Sequence, residues 1–201
     1  MGRTYPLLPR VRRTSDVPAP RFSPPAAFGP ARGLPSARRS AIVCAMSIYT
    51  ATIRWKHDGG DFAKGQFSRA HTWSFDGGVV VRASSSPTVV KPPLSDASAV
   101  DPEEAFVASI ASCHMITFLY VAGKQGYTIG SYEDEATGTL AKNQQGMSWV
   151  SRVVLAPRIV WLGELRPDED QLEQLHAEAH LQCFIANSVK TQISVVSADA
   201  S

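Results

Sequence analysis

Asp101-Pro-Glu-Glu-Ala-Phe-Val-Ala-Ser-Ile-Ala-Ser-Cys113-His-Met-Ile-Thr-Phe-Leu-Tyr-Val-Ala122 is the run that every other segment of this chain has to pack around. It begins as a capped helix. Asp101 can accept from the free N–H groups, Pro102 suits the first helical position, and Glu104 stands three residues on as a capping-box partner. From Ala105 to Ala122 no side chain is charged, so no face is left for water and the helix must be wrapped by other structure. The run is about long enough to cross a bilayer, but Ser109, Ser112, Cys113, His114 and Thr117 interrupt it. It therefore reads as the core helix of a soluble domain. Ala105, Ala108, Ser109 and Ser112 make one side thin enough for close approach by a second helix.

Outward from this helix the coarse pattern is α+β. Ser47 to His57 alternates as a strand and stops at Asp58-Gly-Gly. Arg69 to Phe75 and Val79 to Ala83 flank Asp76-Gly77-Gly78, a hairpin signal. A Pro-containing loop covers 84 to 99. Gly123 and Gly126 close the core helix. Tyr127 to Lys142 and Met147 to Leu162 read as two strands, the second broken near Pro157. Pro167 to Lys190 has helical spacing at Leu172, Leu175, Ala179 and Cys183, with acids in its first turns, and Gln192 to Ser197 is a last strand. The expectation is an antiparallel sheet packed on two central helices. Trp55, Trp73, Trp149 and Trp161 fall on strands and read as sheet-face core or dimer contacts.

Charge divides the 201-residue chain unevenly. Residues 1–45 carry eight Arg, one Asp and eight of the fourteen Pro, which predicts a disordered Arg/Pro-rich leader ahead of a domain at 46–201. Met46 reads as the natural start. Residues 46–201 carry twelve basic and seventeen acidic side chains, so the domain lacks the basic footprint of a nucleic-acid binder. Three cysteines, at 44, 113 and 183, are too few and too odd for a secreted disulfide framework. They suit a reducing compartment such as the cytoplasm, where paired cysteines serve catalysis or metal binding. Gly-rich phosphate loops, G-x-S-x-G and H-E-x-x-H are absent from the sequence.

The segment from Asp101 to His114 resembles the N-P-E-x-L-(x)-A-A-x-x-A-x-C run of the OsmC/Ohr family, the osmotically induced and organic hydroperoxide resistance proteins. Glu103 stands ten residues before Cys113, as in that family. Ala179-His-Leu-Gln-Cys183-Phe-Ile-Ala-Asn187-Ser-Val is similar to the family's A-x-x-x-C-P-x-S-N/R-A segment, and the Phe75-Asp-Gly-Gly hairpin also fits. Two departures stand out: Phe184 replaces the Pro that often follows the second Cys, and His114 replaces the commoner aromatic after the first.

The resemblance implies a thiol-dependent peroxidase of the OsmC-like fold. Cys113 would attack an organic hydroperoxide and Cys183 would trap the sulfenic acid as a disulfide. An external dithiol would reduce that disulfide, with no cofactor. A thiol among Ala, Ile and Phe is inert unless a cation favours its thiolate. By resemblance that cation is an Arg held by the helix-start glutamate: Arg69 oriented by Glu103, with Arg54 and Arg82 as alternatives. Phe106, Ile110, Met115 and Phe184 would make the pocket apolar. Ten helical residues put Glu103 and Cys113 about 15 Å apart along the axis, too far for one guanidinium to serve both easily. An intertwined homodimer with antiparallel core helices would solve this, with its sites at the interface.

Competing expectations concern histidine. His176 and His180 lie one turn apart with Cys183 three further on, so these and Cys113 could hold zinc. His71 alternates with Arg69 and could share its site, whereas His114 reads as a packed core residue. A third reading is an OsmC-like protein that binds small apolar molecules without catalysis.

Overall fold

A computed structural model describes residues 47–196. The leader expected at 1–45, with Cys44, lies outside them. The described chain forms strands β1 (Ala51–Arg54), β2 (His71–Phe75) and β3 (Val80–Ala83), helix α1 (Pro102–Lys124), strands β4 (Thr128–Asp134), β5 (Thr137–Lys142), β6 (Ser148–Leu155) and β7 (Pro157–Leu162), helix α2 (Glu169–Gln182), and strand β8 (Gln192–Val195). This is the expected α+β order.

The capping box that starts α1 forms in both directions: the Glu104 N–H donates to Asp101 Oδ1 at 2.8 Å and the Asp101 N–H donates to Glu104 Oε2 at 3.0 Å. Gly123 stays helical, and the turn is made by Gly126 at φ +88°, a conformation that costs glycine little. The Asp-Gly-Gly hairpin also forms, with the Phe75 N–H on the Val79 carbonyl at 3.0 Å.

The two long strands expected after α1 are four. Strand β4 pairs with β7 and β5 with β6, antiparallel, so the four make one bent hairpin. At the bend the Ala156 N–H donates to Asp134 Oδ1 at 2.8 Å, and Pro157, which has no N–H to place, opens the next strand opposite Asp134. Strand β8 joins the edge of β6 in parallel, a departure from the purely antiparallel sheet expected.

The bend gives α1 two beds. Its first half sets Ile110 against Val153 and Leu155. Its second half sets Phe118, Val121 and Ala122 against Trp161 and against Leu175 and Ala179 of α2. Strand β5 approaches α1 so closely that a Cβ at Gly138 would lie 2.5 Å from Val107 Cγ2.

One face of α1 contradicts the expectation of a helix wrapped on all sides. Ile116 is 61% exposed and Tyr120 59%. By length and composition α1 would also suffice to cross a membrane. Its other face packs on the bent hairpin and α2, as the core helix of a folded domain does.

Candidate active site at the crossing of two helices

The two helices bring the sulfurs of the two sequence motifs together. Cys113 is half-buried midway along α1, and Cys183 is fully buried at the end of α2. Their Sγ atoms are 2.8 Å apart, with the Cys183 thiol placed to donate to the Cys113 sulfur. Cys183 is not at mid-helix, as the spacing suggested. It is the residue at which α2 stops, with extended backbone at φ −72°, ψ 114°. Burial pushes the Cys183 thiol up, and the hydrogen bond to Cys113 adds to this, while backbone N–H groups of Ala186 and Ile185 pull the other way.

Beside the sulfurs lies a groove of about 940 Å³ lined by Cys113, Ile116, Tyr120, Leu181 and Phe184 among others. No lining residue is charged. Of the pocket residues expected from sequence, Phe184 alone lines it. Ile110 is sealed in the core, Phe106 packs against that same cluster, and Met115 points to a separate cavity beside Tyr132 and Asp134. The face actually used is Ser109, Ser112, Cys113, Ile116, Thr117 and Tyr120, which recur at helical three and four spacing from the cysteine. That signal was present in the sequence.

Among the described residues of one chain, the expected cation is not at the sulfur. Arg69 donates to the Gly65 carbonyl at 2.7 Å and to the Phe67 carbonyl, and its guanidinium lies 3.8 Å over the Phe67 ring. Glu103 lines a cavity at the start of α1 and forms no side-chain hydrogen bond or ion pair among the described residues. Arg54 donates to Ser74 Oγ, and Arg82 pairs with Asp96.

The histidines divide cleanly. His71 donates from Nδ1 to the Arg69 carbonyl at 2.7 Å and accepts at Nε2 from the Trp73 indole at 2.9 Å, so both its nitrogens are engaged in holding β2. His114 and His176 are buried against each other, Nε2 to Nδ1 at 3.0 Å, with Phe118 stacked on both rings. His114 is thus the packed core residue expected. Burial lowers both to about 4; His180 adds to this at His114, and His114 adds to it at His176. The zinc set expected from spacing does not assemble: His176 turns to His114, Cys183 turns to Cys113, and no cluster of three His, Cys, Asp or Glu among the described residues is arranged to hold a metal ion. Trp161 is core, whereas Trp55 and Trp149 are each more than a third exposed.

Two helices bearing facing cysteines, laid on a bent antiparallel hairpin, define a two-cysteine α+β protein of OsmC-like architecture. The sequence model of the OsmC-like protein family matches residues 95–197, and the chain belongs to that family. An OsmC-like protein of unknown function from Vibrio cholerae is 50% identical and superposes with a TM-score of 0.73, the match covering 76% of this chain and all of that one. An organic hydroperoxide resistance protein from Elizabethkingia anophelis shares the fold at 16% identity and a TM-score of 0.56, with 77% of this chain and 99% of that one covered. One from Bacillus subtilis does so at 19% and 0.52, with 76% and 98% covered. No match was found among curated proteins.

Proposed function

We propose that this protein reduces organic hydroperoxides to alcohols through Cys113 and Cys183. The observation that carries the reading is the 2.8 Å approach of the two sulfurs at the foot of an apolar groove. That the solved relatives include organic hydroperoxide resistance proteins is in keeping with it.

In the first step the Cys113 thiolate attacks the terminal oxygen of the hydroperoxide. The O–O bond breaks, the alkoxide leaves and takes a proton, and Cys113 becomes a sulfenic acid. Cys183 as thiolate then attacks that sulfur, a disulfide forms, and hydroxide leaves to become water. An external dithiol returns both thiols by two exchanges, which suits a reducing compartment such as the cytoplasm. The groove favours a substrate with an apolar body, since Ile116, Tyr120, Leu181 and Phe184 give up water most readily to such a group.

The missing positive charge comes, on this reading, from a second copy of the chain. A twofold dimer with antiparallel α1 helices covers the exposed Ile116 and Tyr120, and carries Arg69 of one copy, oriented by Glu103, to Cys113 of the other. Turnover of cumene hydroperoxide with a dithiol tests the function directly. It is expected for the wild type and lost in Cys113→Ser, and turnover that survives that substitution rejects the mechanism.

A further inference from the structure

The last carbonyls of a helix have no intrahelical donor. At the end of α2 one side chain takes two of the free carbonyls. The Asn187 amide nitrogen donates to the Leu181 carbonyl at 2.9 Å and to the Cys183 carbonyl at 3.0 Å. Both partners are acceptors, so the group facing them is the NH₂. The Asn187 main-chain N–H adds a third bond, to the same Cys183 carbonyl at 3.1 Å. Ser188 pins the turn from its far side, its N–H on the Ile185 carbonyl at 3.0 Å and its hydroxyl on the Phe184 carbonyl at 2.7 Å.

This closed turn aims one of its own N–H groups inward. The Ala186 N–H lies 3.4 Å from Cys183 Sγ. A backbone donor on a sulfur favours its thiolate over its thiol. Cys183 needs such help, because burial and the adjacent Cys113 sulfur both oppose its ionisation.

We infer that Asn187 is a positioning residue for Cys183: its amide locks the turn from 183 to 187 so that the Ala186 N–H holds the Cys183 sulfur as a thiolate facing Cys113. The inference rests on the peroxidase reading and concerns its second step, in which the Cys183 thiolate forms the S–S bond and hydroxide departs from the Cys113 sulfenic acid. Asparagine is the side chain that fits. Aspartate would set a carboxylate against two carbonyl oxygens, and alanine would leave the Leu181 carbonyl to water and the Cys183 carbonyl to the main-chain N–H alone.

The test compares wild type, Asn187→Ala and Asn187→Asp, all carrying Cys44→Ser, after one equivalent of cumene hydroperoxide. Sulfenic acid on Cys113 is trapped with dimedone, and the Cys113–Cys183 disulfide is followed by mass spectrometry. Disulfide closure, relative to sulfenic acid formation, is expected to slow about threefold in both variants, the tenfold loss of thiolate from about one pKa unit being partly offset by the greater nucleophilicity of the more basic sulfur. Asn187→Asp keeps the shape and volume but adds a charge, and Asn187→Ala removes the donor and bulk without one, so slowing common to both reports loss of the donor. A second readout needs no peroxide: with Cys113→Ser, ultraviolet thiolate absorbance against pH is expected to place Cys183 ionisation about one unit higher in the uncharged Asn187→Ala than in the Asn187 protein. Closure at the wild-type rate in both variants, or superimposable titrations, overturns the assignment. A wild type that forms no sulfenic acid would overturn the peroxidase reading instead, and the titration would still decide the role of Asn187.

Discussion

Cys113 and Cys183 share one contact and little else. Cys113 borders the groove, where a hydroperoxide can reach it, while Cys183 is sealed behind it. On the proposed mechanism, attack then belongs to Cys113 and trapping to Cys183. Replacing Cys183 with serine is expected to leave the first step possible and remove the second. One equivalent of cumene hydroperoxide should then consume a single thiol of the pair, and the sulfenic acid should persist long enough to label with dimedone; loss of label at the wild-type rate would contradict this. Gly138 sets a different constraint. Its missing Cβ is what lets Val107 pack into β5, so Gly138→Ala is expected to cost about 1–3 kcal/mol of stability, read from urea unfolding, as overpacked sites do. The two cysteines were legible in the sequence because each sits in a long motif. The role of Gly138 was not, because nothing local marks which glycine will meet a helix distant in sequence.

Elements were legible where local chemistry fixes their ends. Asp101, Pro102 and Glu104 announce the start of α1 in side chains alone, and the start of α2 at Asp168 uses the same reciprocal cap with Gln171. The end of α2 was misplaced because no Gly or Pro between Cys183 and Lys190 marks a stop, and the competing bonds made by Asn187 depend on the turn already existing. Between the two helices, the His114–His176 pair is a polar contact inside an apolar seam, and it makes the contact sensitive to acid. Burial holds both imidazoles at about 4 against an ordinary 6.5. Between those pH values the unfolded chain binds protons that the folded chain refuses, so stability must fall as pH falls through this window. Admitting the first proton costs about 3 kcal/mol at 1.4 kcal/mol per unit. Urea unfolding midpoints measured from pH 7 down to pH 4 are expected to drop, and to drop less in His176→Gln, which keeps a hydrogen-bonding side chain without titrating. Parallel curves for the two proteins would reject the assignment.

At the scale of the molecule, the sequence and the single chain disagree about one surface, and the disagreement is informative. An uncharged helix from 105 to 122 demands cover on all sides, yet Ile116, Leu119 and Tyr120 are each more than a third exposed. The missing cover and the missing cation call for the same thing. A groove wall of uncharged residues beside Cys113, and an Arg69 bound to its own loop with Glu103 unpaired among the described residues, are each incomplete alone. On the proposed reading, antiparallel pairing of two α1 helices would supply both, because the helix start of one copy would then lie near the middle of the other. A lysine at position 108 tests the coupling. Ala108 is exposed, stands midway between Glu103 and Cys113 and lies outside the groove, so Ala108→Lys places a charge in the centre of the proposed contact, where an unpaired charge is costly to bury. Sedimentation is expected to shift from dimer toward monomer, and hydroperoxide turnover to fall at least about tenfold in proportion to the dimer lost. Raising the protein concentration should restore both together. A variant that becomes monomeric yet keeps full turnover would show that Cys113 draws its activating charge from its own chain, and the head-to-tail arrangement would have no catalytic role.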